Sequence, residues 1–405
     1  MRILFLTDNF PPEVNAPATR TYEHCKEWVK QDVDITVITC APNFPQGKVY
    51  QGYKNKLLQR QEVDGIKVIR VWSYISANEG FFKRTLDYIS YGIMAFITGL
   101  FIKTDLIIAT SPQFFTALAG RHLAFWKRKP WIMEVRDLWP ESIKNVDAMN
   151  DGLMMKYLEW EERRCYKKAN GIVTVTDTFK EIIERKGIKD KFKVIKNGAN
   201  TELFSPGPKN RELIKKLGFE NKFIIGYIGT HGLAHKLDFI IKSASKVEDD
   251  EIHFLFIGSG AEKKHIVNIA ENHHLKNVTF LDPVSKSEIV KYISIIDVAL
   301  IPLKRSELFK TVIPSKIFEN AAMQKPILLG VDGESRSIIE KYKAGLYFEP
   351  ESEKDFLEKL KMMKENRQNY IDMQTGCLNL AKAFDRKKLA SDMLEFIQQT
   401  TLKNN

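Results

Sequence analysis

The chain has 405 residues, more than one ordinary hydrophobic core accommodates, and this length predicts two domains. Hydrophobic residues make up 44% of it, which is typical of a soluble globular protein, and no zinc-finger, RRM or helix-turn-helix signature favours nucleic-acid binding. The formal net charge is +11, of which residues 1–200 carry +8 (31 Lys and Arg against 23 Asp and Glu), so the first half favours an anionic partner such as lipid headgroups or pyrophosphate.

The four cysteines are scattered, without a C-x-x-C pair or a histidine at metal-ligand spacing. This distribution is typical of reduced thiols in a cytosolic protein. Met1 and Arg2 lead directly into an apolar run, so we expect no signal peptide.

Short apolar runs alternate with helix-length segments along the whole chain, a pattern that predicts parallel α/β sheets. The first half has runs at 2–8, 35–40, 66–72, 106–111, 131–137 and 171–176, with a further short one ending at 198, and the pattern restarts at 223–229, 252–258, 278–282, 298–303 and 326–330. We therefore predict two doubly wound Rossmann-like domains, 1–200 and 201–385, joined near residues 197–210. The expected ligand site is a cleft between them, at the carboxyl ends of the strands.

The loop after the first strand, "DNFPPEVNAPATR" (8–20), places Glu13 and Arg20 at the edge of a sheet, where substrate contacts are common. "EVRDLWPES" (134–142) ends another strand with Arg136 and Asp137 side by side, followed by Trp139. The Arg–Asp pair is consistent with a surface ion pair or with a contact to a substrate hydroxyl or phosphate. Trp139 offers a sugar an apolar face.

The segment "YISYGIMAFITGLFI" (88–102) is continuously apolar between Lys83-Arg84 and Lys103. With 15 residues it is shorter than the roughly 20 needed to cross a bilayer. It is consistent with a buried helix packed on the first sheet, and also with a helix whose basic flanks and exposed aromatics rest on a membrane surface. Those aromatics are Phe81, Phe82, Tyr88 and Tyr91. "RHLAFWKRKPW" (121–131) adds four cations and two Trp to this possibility.

"GYIGTHGLAHKLDFI" (226–240) follows a strand and opens a predicted helix. Gly229 and Gly232 let backbone N–H groups approach an anion, and Lys236 in the first helical turn would be stabilised by a phosphate. His231 and His235 could donate to the same anion. The alternative is an ordinary β–α turn, and "FIGSGAEKK" (256–264) is predicted to be only a tight connection.

"TVIPSKIFENAAMQKPILLG" (311–330) is predicted to be a helix that starts at Pro314 and runs into a strand. Ser315 and Glu319 are four residues apart and share a face, with Lys316 beside them. A carboxylate suits the vicinal diol of a ribose, so Glu319 is a candidate nucleotide contact. The alternative for Glu319 is a solvated helix residue.

Taken in order along the chain, these motifs resemble those of family 4 glycosyltransferases of the GT-B type. The resemblance rests on "TDNFPPE", "EVRDLWPES", "WEERRCYKKANGIVTVT" and "KNGANTELFSP" in the first domain and joint, and on "GYIGTHGLAHKLD", "PSKIFENAAMQKPIL" and "AGLYFEPES" in the second. "PSK", "RDLWPES" and "PPEVNAPATR" resemble bacterial O-antigen and capsule transferases, including WbuB-like N-acetyl-L-fucosamine transferases.

The resemblance implies a retaining hexosyl- or N-acetylhexosaminyl-transferase that uses a UDP-sugar and no metal or other cofactor. The family's Glu-x7-Glu motif ends at Glu319, while its first Glu falls at Thr311, a departure at the position that usually contacts the donor sugar. Lys236 matches the family's pyrophosphate lysine. The arginine that often precedes it has no clear counterpart, which leaves His231 and His235 as candidate substitutes.

The donor-binding residues implied are Gly229, His231, Gly232, His235, Lys236, Thr311, Ser315, Lys316 and Glu319. Arg136, Asp137 and Lys236 are the implied catalytic residues, and Glu13, Arg20 and Trp139 the acceptor contacts.

The expected acceptor is a polyprenyl-diphosphate-linked saccharide at the cytoplasmic face of the inner membrane, in O-antigen or capsule synthesis. The last segment, 386–405, is expected to return as a helix to the first domain. Two alternatives stay open: a sugar-nucleotide epimerase of the same architecture, and a non-catalytic subunit that binds a nucleotide sugar.

Overall fold

The computed structural model describes residues 1–44, 46–76, 81–111, 114–140 and 152–403, and within these ranges every side chain except those at 81, 82, 286 and 287. The chain forms two compact units. Unit 1 comprises Met1–Lys196 together with Arg386–Asn405, and unit 2 comprises Asn197–Asp385. The aromatic side chains at 81 and 82, and residues 141 and 142 of the "EVRDLWPES" motif, lie outside what the structure describes.

Unit 1 is built on an eight-stranded sheet in the order β3-β4-β2-β1-β5-β6-β7-β8, parallel except for the β3–β4 pair. Its strands are β1 (Arg2–Leu6), β2 (Asp34–Cys40), β3 (Leu58–Val63), β4 (Ile66–Val71), β5 (Leu106–Thr110), β6 (Trp131–Val135), β7 (Gly171–Thr174) and β8 (Phe192–Val194). The central strands are buried along their whole length because helices cover both faces of a parallel sheet, which is why they read as unbroken apolar runs.

The described helices of unit 1 are α1 (Ala16–Val29), α2 (Phe81–Leu100), α3 (Phe114–Lys127), α4 (Leu153–Lys168), α5 (Asp177–Arg185) and, from the C-terminal segment, α14 (Arg386–Leu402). Helix α1 begins at Asn15, whose side chain accepts a hydrogen bond from the N–H of Ala18. Helix α14 packs on α1: the indole N–H of Trp28 donates to the carbonyl of Ala390 at 2.8 Å.

Unit 2 has a six-stranded, all-parallel sheet in the order β11-β10-β9-β12-β13-β14. Its strands are β9 (Phe223–Ile228), β10 (Ile252–Ile257), β11 (Val278–Leu281), β12 (Val298–Pro302), β13 (Ile327–Gly330) and β14 (Gly345–Tyr347). Its described helices are α6 (Arg211–Leu217), α7 (Leu237–Ala244), α8 (Lys263–Asn272), α9 (Lys286–Ile295), α10 (Lys316–Ala322), α11 (Glu334–Tyr342), α12 (Glu353–Glu365) and α13 (Arg367–Ala383).

The predicted fold class is confirmed: each unit is a doubly wound α/β sheet. In both units the strand order reverses direction beside the first strand of that unit, β1 or β9, and such a switch point opens a crevice at the carboxyl ends of the strands. The segments that follow β1, β6 and β9 are those that carry most of the predicted site residues. All four cysteines are buried and free.

Candidate functional site

Two glycine turns interlock at the carboxyl ends of β9 and β10 in unit 2. Gly229 has φ 146° and Gly258 has φ 149°, conformations that L side chains rarely adopt. The N–H of His231 donates to the carbonyl of Ser259 at 2.8 Å, and the N–H of Glu262 donates back to the carbonyl of His231 at 2.9 Å. The second turn, predicted to be a plain connection, therefore holds the first one in place.

Lys316 presents a buried ammonium to the first of these turns. Its Nζ lies 4.2 Å from the centroid of the Tyr227 ring, and a Cβ built on Gly229 would lie 2.7 Å from it. This Nζ is shielded from solvent and has no hydrogen-bond partner among the described residues. Burial lowers the pKa of Lys316 to about 8, while the nearby Glu319 opposes the shift. An unpaired buried ammonium is costly, and an anion at Gly229 would compensate that cost.

The two histidines of this loop are neutral at pH 7. Burial lowers the pKa of His231 to about 4, helped by Lys263 and Lys316, and burial lowers the pKa of His235 to about 4 as well. His231 is completely buried, and neither of its ring nitrogens has a partner in the described part of the chain. These neutral imidazoles can donate hydrogen bonds, but they cannot replace the positive charge of the arginine that often precedes the pyrophosphate lysine in the family.

Two local predictions in unit 2 are wrong in detail. Lys236 does not lie in the first turn of a helix: a short 3-10 helix (Leu233–His235) intervenes, and Lys236 precedes α7 in a left-handed conformation with φ 50°. Its Nζ pairs with Asp238 at 3.3 Å. Helix α10 begins at Lys316 rather than at Pro314, and Ser315 is its N-cap residue; a separate 3-10 turn (Leu308–Thr311) precedes it, followed by extended backbone at Val312.

Thr311 and Glu319 lie at the two ends of this short stretch. The hydroxyl of Thr311 donates to the carbonyl of Leu308 at 2.8 Å, so its oxygen can still accept a hydrogen bond. Glu319 is half-buried on α10 and interacts electrostatically with Lys316, one turn earlier. Gly232, Lys236, Ser315 and Glu319 thus all belong to loops or helix starts that follow strands of unit 2.

In unit 1, Arg20 and Glu13 are engaged inside the protein. Arg20 is 2% exposed, forms an ion pair with Glu134 at 2.9 Å, and donates to the carbonyls of Ile195 and Lys196. Glu13 is 3% exposed and accepts the N–H groups of Asn43 and Phe44 at 2.8 and 2.9 Å. These contacts stabilise the fold of unit 1. Arg20 and Glu13 therefore have structural roles and are not part of the acceptor site proposed below.

Arg136, Asp137 and Trp139 follow β6, as predicted. Arg136 is partly exposed, and its guanidinium donates to the carbonyl of Pro17 at 3.3 Å. Burial lowers the pKa of Arg136 to about 10, with Glu134 opposing the shift. The Trp139 ring stacks on Phe114 with centroids 4.9 Å apart, so one of its faces is already covered.

The structure indicates roles for two side chains, Tyr227 and Asp8, to which the sequence analysis gave none. Tyr227, within β9, provides the ring under the Lys316 ammonium, and nothing in a strand-forming tyrosine indicates that partner. Asp8 was quoted in "TDNFPPE" without a role; burial, Asp87 and Glu13 raise the pKa of Asp8 to about 8, and burial raises the pKa of Asp87 to about 6. Within the described ranges, no group of three or more His, Cys, Asp or Glu side chains has the arrangement of a metal site.

Comparison with known families and structures places these features in context. The family described as "Glycosyltransferase Family 4" matches residues 17–203, and "Glycosyl transferases group 1" matches residues 209–376. TuaH of Bacillus subtilis, named as a teichuronic acid biosynthesis glycosyltransferase, is 27% identical over 228 residues, or 56% of either chain. WcaI of Escherichia coli, named as a colanic acid biosynthesis glycosyl transferase, is 24% identical over 336 residues, 78% of this chain and 80% of WcaI.

Among solved structures, Anabaena HepE in complex with UDP-glucose matches with a TM-score of 0.72 and 15% identity, over 98% of this chain and 100% of HepE. A match at that identity shows the fold, which is GT-B, and not the substrate. The chain thus spans little more than half of the TuaH relative but nearly the whole of the structural neighbour.

Proposed function

Because the chain carries a Glycosyltransferase Family 4 domain followed by a Glycosyl transferases group 1 domain, we propose that it is a retaining glycosyltransferase of cell-surface polysaccharide synthesis. It moves a sugar from a UDP-sugar to a saccharide carried on a polyprenyl diphosphate, at the cytoplasmic face of the inner membrane. The names of TuaH and WcaI and the UDP-glucose bound to HepE support the class of product and of donor. The resemblance of "PSK", "RDLWPES" and "PPEVNAPATR" to O-antigen and capsule transferases favours an N-acetylated amino sugar such as N-acetyl-L-fucosamine.

The observation that carries the proposal is the unpaired Lys316 ammonium facing the Gly229 turn. Although the N–H groups of Gly229 and His231 already donate to the carbonyls of Ile257 and Ser259, a nucleotide diphosphate brought to that turn would meet one buried, preorganised cation. In a site from which water is excluded, such preorganised groups stabilise a developing negative charge far more strongly than water does. Lys316 thereby provides the second cation that the sequence lacks beside Lys236.

The remaining donor contacts follow from the same stretch of chain. Glu319 accepts the two ribose hydroxyls, and Ser315 and the Thr311 oxygen are available to the diphosphate or the donor sugar. Thr311 replaces a carboxylate here, so the donor-sugar contact becomes a single neutral hydrogen bond. Such a bond is weaker than a charge-assisted one by roughly a factor of two.

Chemically, the bond between the anomeric carbon and the diphosphate oxygen breaks, and UDP departs. The acceptor hydroxyl attacks the anomeric carbon from the same face of the sugar and forms the new glycosidic bond. The proton of that hydroxyl passes to an oxygen of the departing diphosphate, which needs no protein nucleophile. Lys236 and Lys316 neutralise the charge that builds up on the leaving group, a task that a metal ion performs in other transferases. Arg136, Asp137 and the half-buried Trp139 receive the acceptor in unit 1.

A donor panel tests the proposal. The full-length protein is incubated with UDP-, GDP- and dTDP-sugars, and release of nucleotide diphosphate is measured with and without a polyprenyl-diphosphate-GlcNAc mimic. We expect acceptor-dependent release from a UDP-sugar that persists in EDTA and is lost in Glu319→Ala. Loss of the Lys316 cation in Lys316→Met is expected to raise the barrier by about 3 kcal/mol, a roughly hundredfold slower release.

Two other outcomes would reject the proposal in favour of the alternatives. Conversion of one UDP-sugar into another without acceptor would identify an epimerase. Tight binding of a nucleotide sugar, with no release for any acceptor tried, would identify a non-catalytic binding subunit.

A further inference from the structure

Helix α2 exposes a continuous apolar stripe on the surface of unit 1. Its Tyr91 and Ala95 are buried, whereas Leu86, Ile93, Ile97 and Leu100 are between 37% and 54% exposed. Their spacing of seven, four and three residues puts them on one face of the helix. Tyr91, expected among the exposed aromatics, instead points inward and donates to the carbonyl of Ile38 at 2.8 Å.

The C-terminal ends of α2 and α3 lie together and extend this stripe. The ammonium of Lys127 donates to the carbonyl of Leu100 at 2.9 Å, which joins the two helix ends. Next to this bond in sequence are three of the most exposed aromatic side chains among the described residues: Phe101 at 82%, Phe125 at 78% and Trp126 at 68%. Isolated exposed apolar residues are ordinary, but a stripe that ends in three exposed aromatics is a contiguous patch of the kind that marks an interaction surface.

A groove runs between α2 and α3 under this patch. Its volume is about 390 Å³, and its lining is almost wholly apolar, including Ile93, Phe96, Phe115, Leu118 and Trp126. Gly92 makes the close approach of the helices possible, since a Cβ there would lie 2.9 Å from the carbonyl oxygen of Phe115. A groove of this size and polarity suits a hydrocarbon chain and offers a polar ligand few partners.

The charged side chains within the two segments that carry the patch are all basic, and Asp87, Asp105 and Glu134 lie directly outside the ends of these segments. Residues 88–104 and 114–133 contain no Asp or Glu, and they contain Lys103, Arg121, Lys127, Arg128 and Lys129. Arg121 is committed to an ion pair with Glu161 on α4, while Lys103 and Arg128 are exposed. Across the described residues we find no helix whose length and hydropathy would suffice to cross a membrane.

We propose that this face of α2 and α3 docks on an anionic lipid bilayer, with a hydrocarbon chain of a bilayer lipid in the groove. Phe101, Phe125 and Trp126 enter the interface between headgroups and chains, and Lys103 and Arg128 contact the headgroups. This inference rests on the proposed function, because a lipid-linked acceptor requires the protein to bind at a membrane. It does not depend on the identity of the transferred sugar.

Charge favours this occupant over the others. A second copy of the chain would bring like charges against like charges around the patch, which is unfavourable. A nucleic acid would use the cations but would leave the aromatic and aliphatic surface exposed to water. An anionic bilayer accommodates both the cations and the apolar surface of the patch. Each cation near the bilayer surface contributes roughly a fivefold gain in partitioning, and each aromatic side chain buried in the bilayer contributes through the hydrophobic effect.

The test uses the full-length protein and vesicles that contain neither nucleotide nor lipid-linked saccharide. Partitioning is measured by co-sedimentation with phosphatidylglycerol-containing vesicles and with pure phosphatidylcholine vesicles. We expect binding only to the anionic vesicles, weakened by salt. Lys103→Glu with Arg128→Glu should lower the partition coefficient by at least about 30-fold. Phe125→Ser with Trp126→Ser should lower it by about tenfold or more.

Matched controls separate the patch from general charge or apolarity. Lys215→Glu with Lys216→Glu reverses two exposed cations on α6, and Leu402→Ser removes a 78% exposed aliphatic side chain from α14; both are expected to bind as the wild type does. Insertion is read from the quenching of tryptophan fluorescence by lipids brominated on the acyl chain. Trp126→Phe should remove most of the quenching while leaving co-sedimentation intact.

The inference is overturned if the patch variants sediment like the wild type, or if brominated chains quench Trp126→Phe as strongly as the wild type. It is also overturned if binding to phosphatidylcholine equals binding to anionic vesicles. UDP binding by the patch variants, which we expect to be unchanged, distinguishes this failure from failure of the proposed transferase.

Discussion

Raising the pH from 7 to 9 is expected to weaken UDP binding about tenfold through the titration of Lys316. Burial sets the pKa of this ammonium at about 8 in the free protein. About nine-tenths of the molecules therefore carry the cation at pH 7 and about one-tenth at pH 9. A diphosphate binds the protonated form and raises its pKa, so affinity is nearly full below about pH 7, is reduced about twofold at pH 8 and falls by up to one logarithmic unit per pH unit above that.

Isothermal titration calorimetry in two buffers of different ionisation enthalpy measures both the affinity and the linked protons. At pH 8, UDP binding should take up about half a proton, and Lys316→Met should bind more weakly at pH 7 and show no such uptake. Lys325 provides a control, because burial also lowers its pKa to about 8, yet its Nζ donates to the carbonyl of Ser294 at 2.8 Å. Lys325→Met should keep the tenfold pH dependence. A wild type whose affinity is constant from pH 7 to 9, or a Lys316→Met variant that retains the full decrease, would refute the reasoning.

Three further predictions follow from the same geometry. Gly229→Ala places a Cβ 2.7 Å from the Lys316 ammonium, on a backbone with φ 146°. We expect UDP affinity to fall by several-fold and the free energy of unfolding to fall by about 1–3 kcal/mol. An unchanged affinity in calorimetry would contradict this. Glu134→Gln leaves the buried Arg20 guanidinium without its carboxylate, and urea denaturation should show a loss of about 3–5 kcal/mol; a loss below about 1 kcal/mol would mean that the pair is not buried in solution. Because the pKa of His231 is lowered to about 4 in the folded protein, stability is lost as the pH falls from about 6.5 towards 4, and His231→Gln should remove about 2–3 kcal/mol of the difference in unfolding free energy between pH 7 and 4.5.

The doubly wound fold could be predicted because buried parallel strands carry their signal in consecutive apolar residues. Strands β5 and β10, buried at every position, are the clearest cases. Strand β3 escaped prediction because its sequence, LQRQEV, is polar and alternates between exposed and half-buried positions at the sheet edge. Strand β14 is only three residues long, too short for any periodicity to be read.

The candidate site was predictable in its components but not in its contacts. Glycines after strands and a Pro-Ser-Lys near a helix start can be read locally; the glycines follow β9 and β10 as expected, whereas the helix begins at Lys316 instead of Pro314. That the Lys316 ammonium sits over the Tyr227 ring depends on packing between β9 and α10, which are far apart in sequence. For the same reason Arg20, predicted to be an acceptor contact at the edge of the sheet, proved to be buried against Glu134, more than a hundred residues away.

The return of α14 to unit 1 has a consequence for the order of synthesis. The face of α1 that holds Trp28 packs against residues 386–402, and these residues leave the ribosome after all of Asn197–Asp385. At roughly 5–20 residues per second, translation of that intervening segment takes on the order of 10 to 40 seconds. During that interval all helices and strands of unit 2 are synthesised, while the surface of α1 that packs against α14 is still uncovered. Unit 1 therefore begins first but receives its last helix only after unit 2 is complete.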